Sequence, residues 1–300
     1  MPFRRLYSSA NAAALEHWIA SPKQLTLRDS FTLDRLSDLY ITLPTRDGTY
    51  QPTVHPQTSR PLGYGSHLAF FHPRNPERNL RTDGTDAEFC PPGFSRRMWS
   101  GGKISWNAQK PLIAGASATS RSTIGSVEKK GFEKGTPMVF VKQHIDVTLD
   151  GEDVASVMEE RAHVYIAEPS GNKTPRSVDG LPSNSDFALS FTPTLTMLFR
   201  FSALTFNGHH IHLDKDYAQS EGYPERLVHG PLTALMLLET TILYKPTATF
   251  KTFEYRARNP IIVNRPITIR GAWGEGGKSA SLWAVDGEGV VGMTGTVVFA

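Results

Sequence analysis

Cysteine is nearly absent from this chain of 300 residues: Cys90 stands alone. That excludes an internal disulfide framework and a zinc site built on several thiolates. Long hydrophobic runs are missing too. The longest apolar stretch, residues 232–244, is interrupted by Thr233, Glu239, Thr240 and Thr241, and it falls short of the ~20 residues a membrane-spanning helix needs. No charge of one sign dominates. The 32 basic and 29 acidic side chains leave a formal net charge of +3, too little to point to nucleic acid as a partner. No Gly-x-Ser-x-Gly elbow surrounds Ser202 or Thr205, so neither reads as a nucleophile.

The residues that are present describe a folded, turn-rich protein. Apolar residues make up 39% and aromatic residues 10% of the chain, enough for a sizeable core. The 25 glycines and 21 prolines are scattered, which argues against a long-helix bundle. The length suits two lobes of roughly 100–150 residues. Residues 1–20 open with Arg4 and Arg5, contain serines, and carry no acid before Glu16, the composition of a mitochondrial transit segment. The string Arg5-Leu6-Tyr7-Ser8 resembles sites cut by the matrix processing peptidase. The expected location is the mitochondrial matrix, with an ordinary cytoplasmic N-terminus as the alternative.

Two stretches of similar flavour flank a polar segment. In the first, residues 21–170, the alternation in 136–149 and again in 159–168 reads as neighbouring antiparallel strands, with Ala162, Val164 and Ile166 sharing one face. A weaker helix pattern covers 34–43, and 44–92 is irregular, which suggests a lid or an interface. The run Pro169-Ser170-Gly171-Asn172-Lys173-Thr174-Pro175 marks a boundary near 169–185. The second stretch, 185–300, holds a helix at 232–243 that is apolar nearly all round, so it should be enclosed by a sheet. Strands are predicted at 249–257, 267–273, 279–285 and 290–299. One helix wrapped by a curved antiparallel sheet fits this order. No residue-level repeat is visible.

Of ten histidines, His209, His210, His212 and His229 fall close together. Gly208 after Asn207 marks a turn, and Ile211 and Leu213 are apolar anchors for the polar loop beyond it. Pro231 suits the first position of a helix, which places Gly230 at its cap. Free backbone N–H groups and the positive end of the helix dipole at Gly230 suit a developing oxyanion. A neutral histidine nearby can exchange a proton with the carbon beside that carbonyl. His212 and Gly230 therefore read as base and oxyanion hole. His209 and His229 read more simply as buried, hydrogen-bonded supports. A metal cluster here would begin from a His-x-His pair, which puts two imidazoles on one face of a strand, with Asp214 nearby, but no third ligand follows at a convincing spacing.

The run Thr205-Phe206-Asn207-Gly208-His209-His210-Ile211-His212-Leu213-Asp214, followed by Val228-His229-Gly230-Pro231-Leu232, resembles the hydratase 2 motif of the MaoC-like, hot-dog-fold hydratases and dehydratases. Within that family it is most similar to the fungal mitochondrial 3-hydroxyacyl-thioester dehydratase type 2 branch and the bacterial mesaconyl-CoA hydratases. The family's histidine matches His212, its His-Gly pair matches His229-Gly230, and its aspartate falls on Asn207. The strings Phe94-Ser95-Arg96-Arg97-Met98-Trp99-Ser100-Gly101-Gly102 and Phe253-Glu254-Tyr255-Arg256 are similar to family strings as well.

The resemblance implies an α+β double hot-dog fold, each half a curved antiparallel sheet wrapped around a central helix, with the catalytic motif in the C-terminal half only. It implies reversible dehydration of a 3-hydroxyacyl thioester, carried by coenzyme A or an acyl carrier protein, to the trans-2-enoyl thioester, in mitochondrial type II fatty acid synthesis. It implies no metal and no redox cofactor, and it is compatible with a homodimer. The catalytic set is His212, Asn207 and Gly230. His229, His209, Arg96, Arg97 and Trp99 are the substrate-binding candidates. Adjacent strand residues point opposite ways, so only one of Arg96 and Arg97 should face the ligand. Asn207 orients water but cannot relay a proton, so the alternatives are a hydratase, dehydratase or cyclase for a dicarboxylic or secondary-metabolite thioester, and a non-catalytic thioester-binding protein.

Overall fold

The computed structural model describes residues 9–167 and 174–300. The Arg5–Ser8 string and most of the polar boundary run lie outside the described residues. The chain begins with α1 (Ser9–Ala20), β1 (Gln24–Ser30) and α2 (Leu33–Tyr40). Residues 41–95 come next, with two short 3₁₀ turns, and then β2 (Arg96–Trp106), β3 (Ser117–Lys130), β4 (Met138–Leu149) and β5 (Val157–Ile166). The second half runs through β6 (Phe187–Phe191), α3 (Leu195–Leu204), α4 (His210–Leu213), α5 (Lys215–Ser220) and α6 (Gly230–Tyr244). It ends with β7 (Phe250–Ala257), β8 (Ile267–Trp273), β9 (Ser279–Asp286) and β10 (Val291–Phe299).

The ten strands form one sheet in the order β1-β3-β4-β5-β2-β7-β10-β9-β8-β6, with every pairing antiparallel. Read inward from either edge, the order is the first strand of that half, then its third, fourth, fifth and second. The duplication invisible in the residues is therefore explicit in the strand order. The halves join where β2 pairs with β7, from Gly101↔Arg256 to Ser105↔Thr252. A β-bulge between Trp99 and Gly101 marks the seam. A Cβ on Gly102 would fall 2.5 Å from the Tyr255 hydroxyl and 2.2 Å from the Glu160 carbonyl oxygen, so the glycine is what lets Tyr255 lie across the seam.

The long helix belongs to the C-terminal half. Leu232, Leu235, Met236, Leu237 and Leu238 of α6 are fully buried, each contributing about 1.5–3 kcal/mol of transfer free energy. In the N-terminal half, α2 and a buried 3₁₀ turn, Ser66–Ala69, occupy the concave side instead. The irregular segment is no surface lid. Arg46 forms an ion pair with Glu239 of α6 at 2.6 Å, Thr45 Oγ1 donates to the same carboxylate, and Leu68, Ala69 and Phe70 are core residues. The helix α1 belongs to the fold as well, because Leu15 is 1% exposed and packs with Phe94, Val139, Val141 and Tyr165. Residues 9–20, read from sequence as part of a transit segment, thus form an element of the N-terminal half. Among the described residues, no helix is long and apolar enough to cross a membrane.

Candidate active site

The site is built on a chain reversal between α3 and α6. Thr194 caps α3 by accepting the Met197 N–H at 3.1 Å. Ser202 and Thr205 thereby lie at the end of a helix. Phe206 then takes a left-handed conformation, φ 49°, and the Asn207 N–H returns to the Ser202 carbonyl at 2.8 Å. Asn207 Oδ1 accepts the His209 N–H at 3.0 Å, the side-chain-mimics-backbone turn that asparagine favours. This uses the acceptor of Asn207 on its own loop and leaves Nδ2, a pure donor, for the cavity it lines.

The residues after Asn207 form the single helical turn α4. The N-terminal half fixes it in place. The His210 N–H donates to the Asp83 carbonyl at 2.9 Å, and a Cβ on Gly84 would sit 2.2 Å from the Gly208 oxygen, a closeness only glycine allows. His212, on α4, donates from Nδ1 to the Leu227 carbonyl at 2.8 Å. A carbonyl only accepts, so Nδ1 carries the proton and Nε2 is left with a lone pair. Burial pushes the His212 pKa down to about 4, against the raising effect of the Leu227 bond, and the Arg97 charge adds to the fall. The ring is neutral at ordinary pH.

His229 stacks on His212, with ring centroids 3.7 Å apart and planes at 23°. It is 1% exposed, shares a hydrogen bond between its Nε2 and Ser202 Oγ at 2.9 Å, and is held well below its usual pKa by burial. It supports the His212 ring and the helix start. His209 stands edge-on to His212, centroids 5.4 Å apart, with its Nε2 3.9 Å from the buried Asp83 carboxylate. Burial and the neighbouring His212 hold it neutral too.

The helix start is one residue from its expected place. His229 is the N-cap, Gly230 the first helical residue and Pro231 the second. The Gly230 N–H, at the positive end of α6, has no intrahelical acceptor. Glycine at this position has a steric reason: a Cβ there would meet the Trp99 indole at 2.5 Å. Trp99 covers the helix start and stacks on Tyr255 at 4.6 Å.

Contrary to the expectation that only one of them would face the ligand, Arg96 and Arg97 both line the cavity, along with Trp99, Asn207, His209, His212 and Gly230; they differ in that Arg96 is ion-paired with Glu221, whereas Arg97 has no ion pair among the described residues. The cavity measures about 2660 Å³ and is shared by both halves, with room for a substrate well beyond drug size. Sequence reasoning missed Asp83, the Leu227 carbonyl, and the inward set Glu159, Arg161, His163 and Tyr165 on β5. The first two act through backbone groups or tertiary approach, which no spacing reveals. The third is hidden by the apolar residues Ala162, Val164 and Ile166 of the same strand.

Comparison with known proteins points the same way. The family model for hydroxyacyl-thioester dehydratase type 2 matches residues 65–263. The mesaconyl-C(4)-CoA hydratase of Chloroflexus aurantiacus is 32% identical over 222 residues, 73% of this chain and 77% of that protein. The mitochondrial hydroxyacyl-thioester dehydratase type 2 of Schizosaccharomyces pombe is 32% identical over 234 residues, covering 68% and 76% of the two chains. A MaoC-like dehydratase from Phytophthora capsici has the same fold, with a TM-score of 0.63 over 94% of this chain and 96% of that one at 16% identity. The fold is the α+β hot-dog architecture, and with the matched motif region spanning the imidazole site and the helix start, the chain is a hydro-lyase that belongs to the hydroxyacyl-thioester dehydratase type 2 family.

Proposed function

We propose that the chain catalyses the reversible dehydration of a 3-hydroxyacyl thioester with His212 as its base and the start of α6 as its oxyanion site. The observation that carries this reading is the fixed tautomer of His212, whose Nδ1–H is spent on Leu227 while Nε2 stays unprotonated in a ring held neutral by burial. In the dehydration direction, His212 Nε2 takes the proton from C2 of the substrate. The enolate oxygen is held by the Gly230 N–H and the positive end of α6. As the C3–O bond breaks, Asn207 Nδ2 donates a hydrogen bond to the departing oxygen, and the proton on His212 passes to the hydroxide to form water. The atoms balance and His212 returns to neutral, so no carboxylic acid is required at position 207. His209 and His229 support the ring, and Trp99 closes the helix start from solvent.

The test is hydration of crotonyl-CoA and of a longer trans-2-enoyl-CoA, read as loss of the conjugated thioester absorbance, with each protein first shown to be folded. Turnover that collapses in His212→Ala is the expected result. A folded wild type inert on both substrates, or a fully active His212→Ala, overturns the reading. Asn207→Ala should slow the reaction by about 10-fold, the loss of one hydrogen-bond donor, and Asn207→Asp reports whether an acid there helps.

The fission yeast relative, a mitochondrial hydroxyacyl-thioester dehydratase, supports a location in the matrix, where the proposed setting is type II fatty acid synthesis; the Chloroflexus relative, a mesaconyl-C(4)-CoA hydratase, supports a coenzyme A thioester. Import of the full chain into isolated mitochondria, read by protease protection, tests the location. The two substrates differ only beyond the reacting carbons, so the chemistry at His212 is common to both.

A further inference from the structure

A carboxylate from the N-terminal half stands behind the imidazole cluster. Asp83 is 4% exposed, and its Oδ1 accepts both the backbone N–H and the hydroxyl of Thr85, at 3.0 and 2.7 Å. Its Oδ2 is buried with no hydrogen-bond partner among the described residues. Two groups approach that oxygen at 3.9 Å, Arg81 Nη1 and His209 Nε2. The Arg81 guanidinium is engaged elsewhere: Nη2 donates to the Phe94 and Ser95 carbonyls at 2.9 and 2.5 Å, and Nη1 is directed at Thr85 Oγ1 at 3.4 Å. His209 has no such commitment, since neither ring nitrogen is hydrogen-bonded among the described residues.

A buried carboxylate oxygen left unpaired is costly, and a shift of about 1 Å brings His209 Nε2 to the length of a charge-assisted bond. Hydrogen bonds of this kind tighten when substrate binds. His209 lies between Asp83 and the cavity: it lines the cavity, stands edge-on to His212, and its backbone N–H holds Asn207 Oδ1. Burial first, then the neighbouring His212, Arg97, His210 and Arg81, keep the ring neutral, so it carries one proton and one lone pair. A neutral imidazole beside a carboxylate places its proton on the nitrogen that faces it. For His209 that nitrogen is Nε2, and Nδ1 is left as an acceptor.

We infer that His209 Nδ1 accepts a hydrogen bond from the C3 hydroxyl, or from the water that adds at C3, and that Asp83 is the positioning residue that fixes this tautomer. This rests on the reading of the His212 site as a thioester hydro-lyase and extends it to the oxygen side of the reaction. The hydrogen bonding of the attacking water is then complete. One O–H points to His209 Nδ1 and the other to His212 Nε2, Asn207 Nδ2 donates to one lone pair, and the second lone pair faces C3. In hydration that lone pair forms the bond to C3 while the proton facing His212 passes to Nε2 and on to C2. His209 exchanges no proton, so His212 still carries the single proton between oxygen and carbon. An amide at position 207 supplies the donor, and the Asp83–His209 pair supplies the acceptor.

The experiment inverts the tautomer. In Asp83→Asn the Thr85 N–H keeps the amide oxygen, so the amide N–H₂ turns to His209 and draws a lone pair to Nε2, leaving a hydrogen on Nδ1 where an acceptor is needed. Asp83→Ala leaves both tautomers open but loses the bonds to Thr85. In crotonyl-CoA hydration, kcat should fall by about 10–10²-fold in Asp83→Asn and by only about threefold in Asp83→Ala, with KM within about twofold. Urea midpoints should rank the two the other way, with Asp83→Ala the less stable. His209→Asn, whose amide oxygen can stand near the place of Nδ1, should keep more kcat than His209→Phe, and Asp83→Asn should add no further loss to His209→Phe. Nitrogen NMR of the His209 ring reads the tautomer directly, Nε2–H in the wild type and Nδ1–H in Asp83→Asn. An Nδ1–H tautomer in the wild type overturns the inference, as does a folded Asp83→Ala slower than Asp83→Asn. If the tautomer inverts as expected but folded wild type turns over no thioester, the hydro-lyase mechanism falls and the Asp83–His209 pair stands. If wild type turns over and Asp83→Asn leaves the tautomer unmoved, the pair falls alone.

Discussion

The two halves of the molecule share a strand order and divide the labour. In the C-terminal half, the concave face of the sheet is apolar, with Phe253, Ile269, Leu282, Ala284 and Val297 all within 1% of full burial, and it closes on a helix of fifteen residues. In the N-terminal half the same layer holds Gln143, Glu159, Arg161 and His163, and the enclosed element between β1 and β2 is only a short helix and a 3₁₀ turn. A helix enclosed by a sheet consumes the concave space. Where it is reduced, that space becomes cavity, and the exposed strand faces become a wall for the substrate. The difference teaches how one half can carry the proposed reacting centre on a tightly packed helix while the other half leaves room and polarity beside it.

The comparison breaks most sharply at two histidines. His212 in one half and His72 in the other are both lowered to about 4, in each case first by burial. A depressed pKa therefore does not mark the base. His72 Nε2 is tied to the Leu68 carbonyl at 3.0 Å, whereas His212 keeps Nε2 free. His212→Ala should lower kcat by about 10³-fold, within the range for losing a general base. His72→Ala should cost stability by about 1–3 kcal/mol, with a loss of rate far smaller than that of His212→Ala. Steady-state rates and a urea titration on the two variants measure both.

The contact between the halves at α6 should be nearly as sensitive. Arg46→Met strands the buried Glu239 carboxylate and should destabilise the fold by about 3–5 kcal/mol. The double variant Arg46→Met, Glu239→Leu should recover most of that loss, because it removes the orphaned charge. Urea midpoints on the three proteins decide it, and a double variant as unstable as the single one contradicts the account. Gly230→Ala comes next. Its methyl group would fall on the Trp99 indole at 2.5 Å, so displacement should cost about 1–3 kcal/mol of stability. It should also lower kcat more than it raises KM, since the helix start bonds the enolate more tightly than the ground-state thioester.

Much of this is legible in the sequence where periodicity or a backbone constraint controls the outcome. Pro231 after Gly230 locates the start of α6 to within one residue, and the strands predicted at 267–273 and 279–285 are found at Ile267–Trp273 and Ser279–Asp286. Strand alternation misleads at Arg96 and Arg97, because both line the cavity. Three features are hidden. The helix α3 has no outward polar stripe to declare it, since Phe199 and Leu195 are exposed. The inward polar set of β5 alternates with apolar residues that look like a core face. The contribution of residues 83–84 to the loop that carries His209 and His212 runs through the Asp83 carbonyl and the close approach of Gly84 to Gly208, backbone contacts that carry no side-chain signal.

The pH dependence of stability tests whether the two halves bury their imidazoles alike, and within about pH 4.5–7 each single variant should change it only in part. For both His212 and His72 the pKa falls from the ordinary 6.5 to about 4 on folding. Between those values the unfolded chain binds more protons than the folded one, so stability rises with pH across that window. It should be level above pH 6.5 and fall as the pH drops toward 4, by at most about 3 kcal/mol for each group. His212→Gln and His72→Gln should each flatten part of that fall, seen as a smaller difference in urea midpoint between about pH 7 and about pH 4.5. Because both pKa values are lowered chiefly by burial, the two variants should flatten the curve to a similar degree while differing widely in rate. A variant that flattens nothing would mean that its imidazole meets water freely in the folded protein, and for His212 that would remove the buried neutral base on which the catalytic half depends.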